Sequence, residues 1–112
     1  MLHQHLRDAV AELTADDSIF ALSEMDVNGQ TLRCFTLAPP SMRDIWGLTA
    51  THADNEYLVY GDERWTYTQA HEEVASIANW LVAQGIGNGD RVAVAMRNYP
   101  EWVMLYWAVL SV

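Results

Sequence analysis

One stretch of the sequence carries the signals of an amphipathic helix with defined ends, and it constrains the fold more than any other. Thr66 and Gln69 have the spacing of a capping box, in which each side chain bonds the backbone N–H of the other residue. Gly85 stands where a left-handed residue commonly ends a helix. The pattern predicts a helix from Thr66 to Gln84 with one buried face. Its apolar positions recur at helical spacing and are Tyr67, Ala70, Val74, Ile77, Ala78 and Leu81.

The residues after this helix predict a buried strand and a second helix. Arg91 to Ala95 (RVAVA) are mostly apolar, which is typical of a strand with neighbours on both sides. Asn98 as N-cap, with Glu101 at N3 near the positive end of the helix dipole, predicts the next helix start. The apolar segment Trp102–Val112 contains no Gly, Asn or Pro to stop that helix. The helix is therefore expected to reach the last residue, and the fold to continue beyond it.

Two hairpins are predicted upstream. Asn28-Gly29 supplies the positive φ angles of a type I′ turn between the strand-forming runs Ile19–Val27 and Gln30–Leu37. Gly61-Asp62 marks the turn of a second hairpin, which has aromatic residues in both arms. From Tyr57 onward the order is hairpin, helix, strand, helix, which predicts a βαβ crossover and an α/β fold.

The first forty residues are predicted to form a lead-in. Leu2, Leu6, Val10 and Leu13 share one helical face, which indicates an amphipathic N-terminal helix. Pro39-Pro40 cannot continue a ladder, and Ser41 with Asp44 then predicts the N-cap of a short helix through about Thr51. We therefore divide the chain into a lead-in of helix and hairpin, residues 1–38, and the beginning of a larger domain, residues 39–112.

Charge and composition exclude several classes of function. The 112 residues include 15 acidic and six basic ones, a formal charge of −9 that repels nucleic-acid phosphates and anionic lipid headgroups. Cys34 is the single cysteine, so no intrachain disulfide forms, and the N-terminal residues lack the apolar core of a signal peptide. Trp102–Val112 is about half of the roughly 20 residues that a spanning helix needs. We expect a cytoplasmic protein with no transmembrane segment and no nucleic-acid partner.

The glycines of GIGNG, residues 85–89, invite comparison with a dinucleotide-binding fingerprint. That motif follows a strand and opens a helix, so that the helix N-terminus and free amides face the phosphates. Here the order is reversed, because Gly85 closes a helix and Gly89-Asp90 turns into a strand. The amides then point to the opposite edge of the sheet from the ligand crevice of an α/β fold. The pattern favours a structural turn over a phosphate cradle.

The histidines do not form a metal-binding pattern. His71 opens the segment HEEVA, but Ala75 stands where a zinc-binding helix needs its second histidine. A solvated helix face is therefore the favoured interpretation. His3 and His5 diverge on a helix, and His52 and His71 are lone histidines of the kind that are more often surface or satisfied core residues than ligands.

Cys34 and the aromatic residues are predicted to pack. Cys34 has no CxxC partner and no basic cluster to lower its pKa, so it is expected to be a small core hydrophobe and not a nucleophile. Five tryptophans and five tyrosines, spread over predicted strands and helices, fit core packing better than a stacking platform for bases.

The loop MRNYP, residues 96–100, is the strongest position for a ligand. It follows a predicted parallel strand at its carboxyl end, which is the side where α/β folds bind ligands. A cap role for Asn98 is nevertheless favoured, because Asn and Glu at this spacing are sufficient to start a helix.

The order and spacing of these elements carry a family resemblance. Residues 65–112 resemble the N-terminal part of an adenylate-forming (AMP-binding) enzyme, most of all an acyl-CoA synthetase (fatty acid–CoA ligase), and PPSMRDIW and EYLVYGDERWTY resemble the segment upstream. The resemblance covers about Pro39 to Val112. The matching residues are Thr66-Tyr67 opening a helix, Gly85-Ile86 with Gly89-Asp90-Arg91-Val92 entering a strand, and Asn98, Pro100 and Glu101 opening the next helix.

The resemblance implies the N-terminal part of a large adenylation domain, incomplete in this chain, in which β-hairpins lead into a βαβ unit. Such ligases use ATP and Mg²⁺ to convert a carboxylic or fatty acid to an acyl-adenylate, and the thiol of coenzyme A then displaces AMP. They need a Ser/Thr/Gly-rich, Lys-containing phosphate loop, an acidic residue for the ribose and a C-terminal lysine, none of which appears here. No catalytic, cofactor-binding or metal-binding residue is therefore assigned. ATP, Mg²⁺, coenzyme A and the acid are expected to bind the full-length enzyme and not this segment.

Three hypotheses stay open. The first is an N-terminal segment of an acyl-CoA ligase that is inactive by itself. The second is a short binding or regulatory module that has kept the opening fold of the family. The third is the start of a peptide-synthetase adenylation domain, which hands its acyl group to a carrier protein.

Overall fold

The computed structural model describes residues 2–112 and divides into two compact units, one up to Pro39 and one from Pro40 onward. The elements of the first unit are α1 (Leu2–Leu13), β1 (Leu22–Val27) and β2 (Gln30–Phe35). Those of the second unit are α2 (Met42–Leu48), a 3₁₀ turn (Thr49–His52), β3 (Glu56–Tyr60), β4 (Glu63–Thr66), α3 (Tyr67–Ala83) and α4 (Pro100–Val109). Among these described residues, no helix is both long and apolar enough to cross a membrane.

The first unit pairs an amphipathic helix with a two-stranded antiparallel hairpin. Val27 is opposite Gln30 across the turn, and the residues between them, Asn28 and Gly29, have φ angles of 55° and 79°. Positive φ at both positions is the condition for a type I′ turn, so the predicted helix and hairpin turn are confirmed. The strands are shorter than predicted, because residues on both flanks form turns and not ladder pairs.

The second unit is organised by α3, whose two ends form as predicted. The Gln69 N–H donates to Thr66 Oγ1 at 3.2 Å, and the Thr66 N–H donates to Gln69 Oε1 at 2.9 Å. At the other end, Gly85 has φ of 83°, its N–H donates to Val82 O, and the Ile86 N–H donates to Leu81 O. These two bonds form a Schellman motif, which satisfies carbonyls that the last turn would otherwise leave unpaired.

The core of the second unit lies between α3, α4 and α2, beside the β3–β4 hairpin. Trp46 of α2 is 4% exposed and stacks on Trp107 of α4, with ring centroids 5.0 Å apart and planes at 18°. Trp107 Nε1 donates to the Tyr57 hydroxyl at 2.8 Å, and burial raises the pKa of that phenol. The predicted packing role is confirmed for Trp46, Trp107 and Tyr57, but it is wrong for Trp80, which is 60% exposed. The buried side chains of this core are Trp46, Ala70, Val74, Leu81, Met104 and Ala108.

The α/β class with its two hairpins and helices is confirmed, but the strand predicted over Arg91–Ala95 does not form. Within residues 2–112 both sheets are two-stranded and antiparallel, β1 with β2 and β3 with β4, so no parallel pair completes a βαβ crossover. Val92 and Val94 are half-buried while their neighbours are exposed. This alternation is that of a strand, but a strand exists only with a hydrogen-bonded neighbour, and no described segment provides one.

The last helix also differs from its predicted extent. α4 ends at Val109, with Leu110 as its C-cap. The Ser111 hydroxyl donates to Trp107 O at 2.7 Å, and the Ser111 N–H donates to Ala108 O at 3.1 Å. A serine side chain that bonds a carbonyl of the preceding turn offers the backbone an alternative to another helical turn.

Candidate functional site

The glycine-rich turn after α3 is held by hydrogen bonds between Gly87 and Asp90. The Gly87 N–H donates to a carboxylate oxygen of Asp90 at 2.9 Å, and the Asp90 N–H donates back to Gly87 O at 3.0 Å. The amide that would meet an anion is therefore already bonded to one, and the Asp90 charge repels a second. These bonds support the turn role predicted for GIGNG.

His71 lies against the core, which is one of the two positions expected for a lone histidine, while Glu72, Glu73 and Ala75 of HEEVA are exposed as predicted. The His71 ring stacks on Trp46 with centroids 4.0 Å apart and planes at 20°, and its Nε2 lies 2.9 Å from Thr49 Oγ1. The Thr49 hydroxyl donates its own hydrogen to Trp46 O, so the Thr49 oxygen accepts and His71 Nε2 carries the proton. Burial lowers the pKa of His71. The part of the chain described here contains no group of three His, Cys, Asp or Glu side chains placed to hold a metal ion.

Cys34 lies in β2 and is half-buried. Apart from Ala21, no apolar side chain of the described part of the first unit is buried. The expectation of a small core hydrophobe is therefore wrong, because the hairpin has no core for Cys34 to join.

The loop that precedes α4 differs from its predicted role. The N-cap of α4 is Tyr99, which has no side-chain cap bond, and Pro100 and Glu101 are the first two helical residues. Proline forces the residue before it into an extended conformation, as Tyr99 shows with φ of −94° and ψ of 164°. Pro100 therefore makes Tyr99, one residue beyond Asn98, the N-cap of α4. Asn98 is therefore not the N-cap of α4.

Asn98 instead lines a groove of about 350 Å³ between β3 and the start of α4. The backbone of β3 is fixed by its ladder with β4, and Pro100 is buried beneath the loop. The Tyr60 and Tyr99 rings meet edge to face at the groove, with centroids 5.4 Å apart and planes at 88°. The lining of this β3–α4 groove is Leu58, Val59, Tyr60, Asn98, Tyr99, Pro100, Trp102 and Val103.

The charged residues that line the continuation of the groove are acidic. Beyond Tyr60 and Tyr99 the surface continues into a smaller cleft that Glu63 and Glu101 also line. No Lys, Arg or His among residues 2–112 lines either depression. These two carboxylates disfavour an anion such as a phosphate in the smaller cleft.

The described residues do not fit the phosphates of ATP or a Mg²⁺ ion. All six basic residues of the sequence are arginines, so the lysine of a phosphate loop is absent, and the turn after α3 is closed on Asp90. The sequence assigned no catalytic, cofactor-binding or metal-binding residue. The groove was missed because β3 and α4 are about forty residues apart in the chain; only the loop at residues 96–100 pointed toward it.

Comparison with known proteins identifies the family. The sequence model for "AMP-binding enzyme" matches residues 46–112, which is more than half of the chain and most of the second unit. The chain belongs to the AMP-binding enzyme family. This confirms the resemblance to adenylate-forming enzymes.

Curated relatives agree with that assignment. The chain is 30% identical over 74 residues to the medium-chain fatty-acid–CoA ligase of Escherichia coli (strain K12), covering 64% of this chain and 13% of that protein. It is 37% identical over 58 residues to the medium/long-chain-fatty-acid–CoA/3-oxocholest-4-en-26-oate–CoA ligase of Mycobacterium marinum (strain ATCC BAA-535 / M), covering 52% of this chain and 10% of that one. Vanchrobactin synthetase VabF of Vibrio anguillarum is 34% identical over 68 residues, with 60% of this chain and 2% of the synthetase covered. No solved structure matches the chain.

Proposed function

We propose that this chain is part of an ATP-dependent acid–thiol ligase of the acyl-CoA synthetase type. The family match over residues 46–112 is the observation that carries the proposal, and fatty-acid–CoA ligases among the relatives support the acid class. Residues 39–112 are then the opening of the adenylation domain, and residues 1–38 precede it.

The proposed reaction has two steps. A carboxylate oxygen of the fatty acid attacks the α-phosphorus of Mg²⁺-bound ATP and pyrophosphate leaves, which yields an acyl-adenylate. The sulfur of coenzyme A then attacks the acyl carbon, the thiol proton is lost, and AMP leaves. Because the described residues do not fit nucleotide phosphates, we assign this segment a scaffolding role and expect it to be inactive alone. The enzyme is expected to act in the cytoplasm.

A second candidate differs in the acceptor of the acyl group. The match to vanchrobactin synthetase VabF supports an adenylating domain that passes its acyl group to a carrier-bound thiol. Both candidates share the adenylation step and separate only at the transfer step. A non-catalytic module with the same opening fold is the third possibility.

The experiment uses the polypeptide as the cell makes it. Pyrophosphate release is measured with ATP, Mg²⁺ and a series of carboxylic acids from acetate to dodecanoate, first without and then with coenzyme A or a phosphopantetheinylated carrier protein. Acid-dependent release with acyl-CoA as product supports the ligase, whereas acylation of the carrier alone supports the second candidate. Absence of release with every acid would refute both and leave the non-catalytic module.

A further inference from the structure

We draw no further inference here: the strongest candidate, the cleft between α2 and α3 that Arg43, Trp46 and His71 line, lies at the surface of a chain that spans only a small part of the length of its relatives, and nothing in the structure shows what covers it.

Discussion

The two units contain similar kinds of elements but differ in what their apolar side chains contact. In the second unit the apolar residues of α2, α3 and α4 converge on Trp46, which is sandwiched between His71 and Trp107. In the described part of the first unit, Ala21 is the only buried apolar side chain. Large apolar residues that are exposed there are Leu6, Val10, Leu13, Ile19, Phe20, Met25, Val27, Leu32, Phe35 and Leu37.

The first unit is stabilised mainly by local interactions, and the second also by tertiary contacts between its elements. The hairpin of the first unit depends on its turn and ladder, and isolated two-stranded hairpins are marginal in water. The second unit adds burial of aromatic and aliphatic surface, which is the dominant favourable contribution to folding. Substitutions with the same local cost should therefore have different consequences in the two units.

Removal of the central tryptophan should have the largest effect. Trp46→Ala is expected to cost about 3–5 kcal/mol of unfolding free energy, because the large side chain is buried and stacked on both faces. A unit of this size has a total stability on the order of 3–5 kcal/mol, so α3 and α4 should lose their helical circular dichroism.

The matched control is Trp80→Ala, at a position of α3 that is 60% exposed. It should change the urea unfolding midpoint little. A Trp46→Ala chain that unfolds at the same urea concentration as the wild type would show that the aromatic stack does not stabilise the second unit.

Replacement of a positive-φ glycine by alanine can be compared between the two units. Gly29 in the hairpin and Gly85 after α3 have φ of 79° and 83°, and an added Cβ would meet no atom within 4 Å at either. Alanine at each should therefore cost about 1–2 kcal/mol of backbone strain and nothing from steric overlap. In Gly29→Ala the hairpin should be lost, as nuclear magnetic resonance would show from its cross-strand contacts. In Gly85→Ala, α3 should persist with a lower unfolding midpoint, and loss of α3 would contradict the contrast.

The capping box should have a smaller and local effect. Thr66→Ala removes the hydroxyl that accepts from the Gln69 N–H, at a cost of about 1 kcal/mol. Thr68→Ala, two residues further along the helix, is the control and should be neutral or slightly stabilising, because alanine is the better helix former. The two unfolding free energies, from urea titrations followed by circular dichroism, test the cap; equal values would contradict it.

Local signals explain which parts of the structure the sequence predicts. Asn28-Gly29, the Thr66–Gln69 box and Gly85 each act through bonds between near neighbours, and all three form as expected. The prediction of a strand over Arg91–Ala95 was wrong, because a strand needs a hydrogen-bonded neighbour and residues 2–112 provide none for it. The groove and the His71–Trp46 stack join elements far apart in the chain, and no periodicity encodes such pairs.

The pH dependence of stability should be the smallest effect, and it tests the tertiary contact of His71. Burial lowers the folded-state pKa of His71 below its unfolded value of about 6.5, so the unfolded state binds the proton more readily. This contribution to stability is complete above about pH 6.5 and is lost as the pH falls through the lowered pKa. His71→Gln keeps a donor for Thr49 without a titrating ring. The wild type should therefore lose more unfolding free energy than the glutamine variant between about pH 7.5 and pH 5, and parallel pH profiles would show that His71 titrates as it does in the unfolded chain.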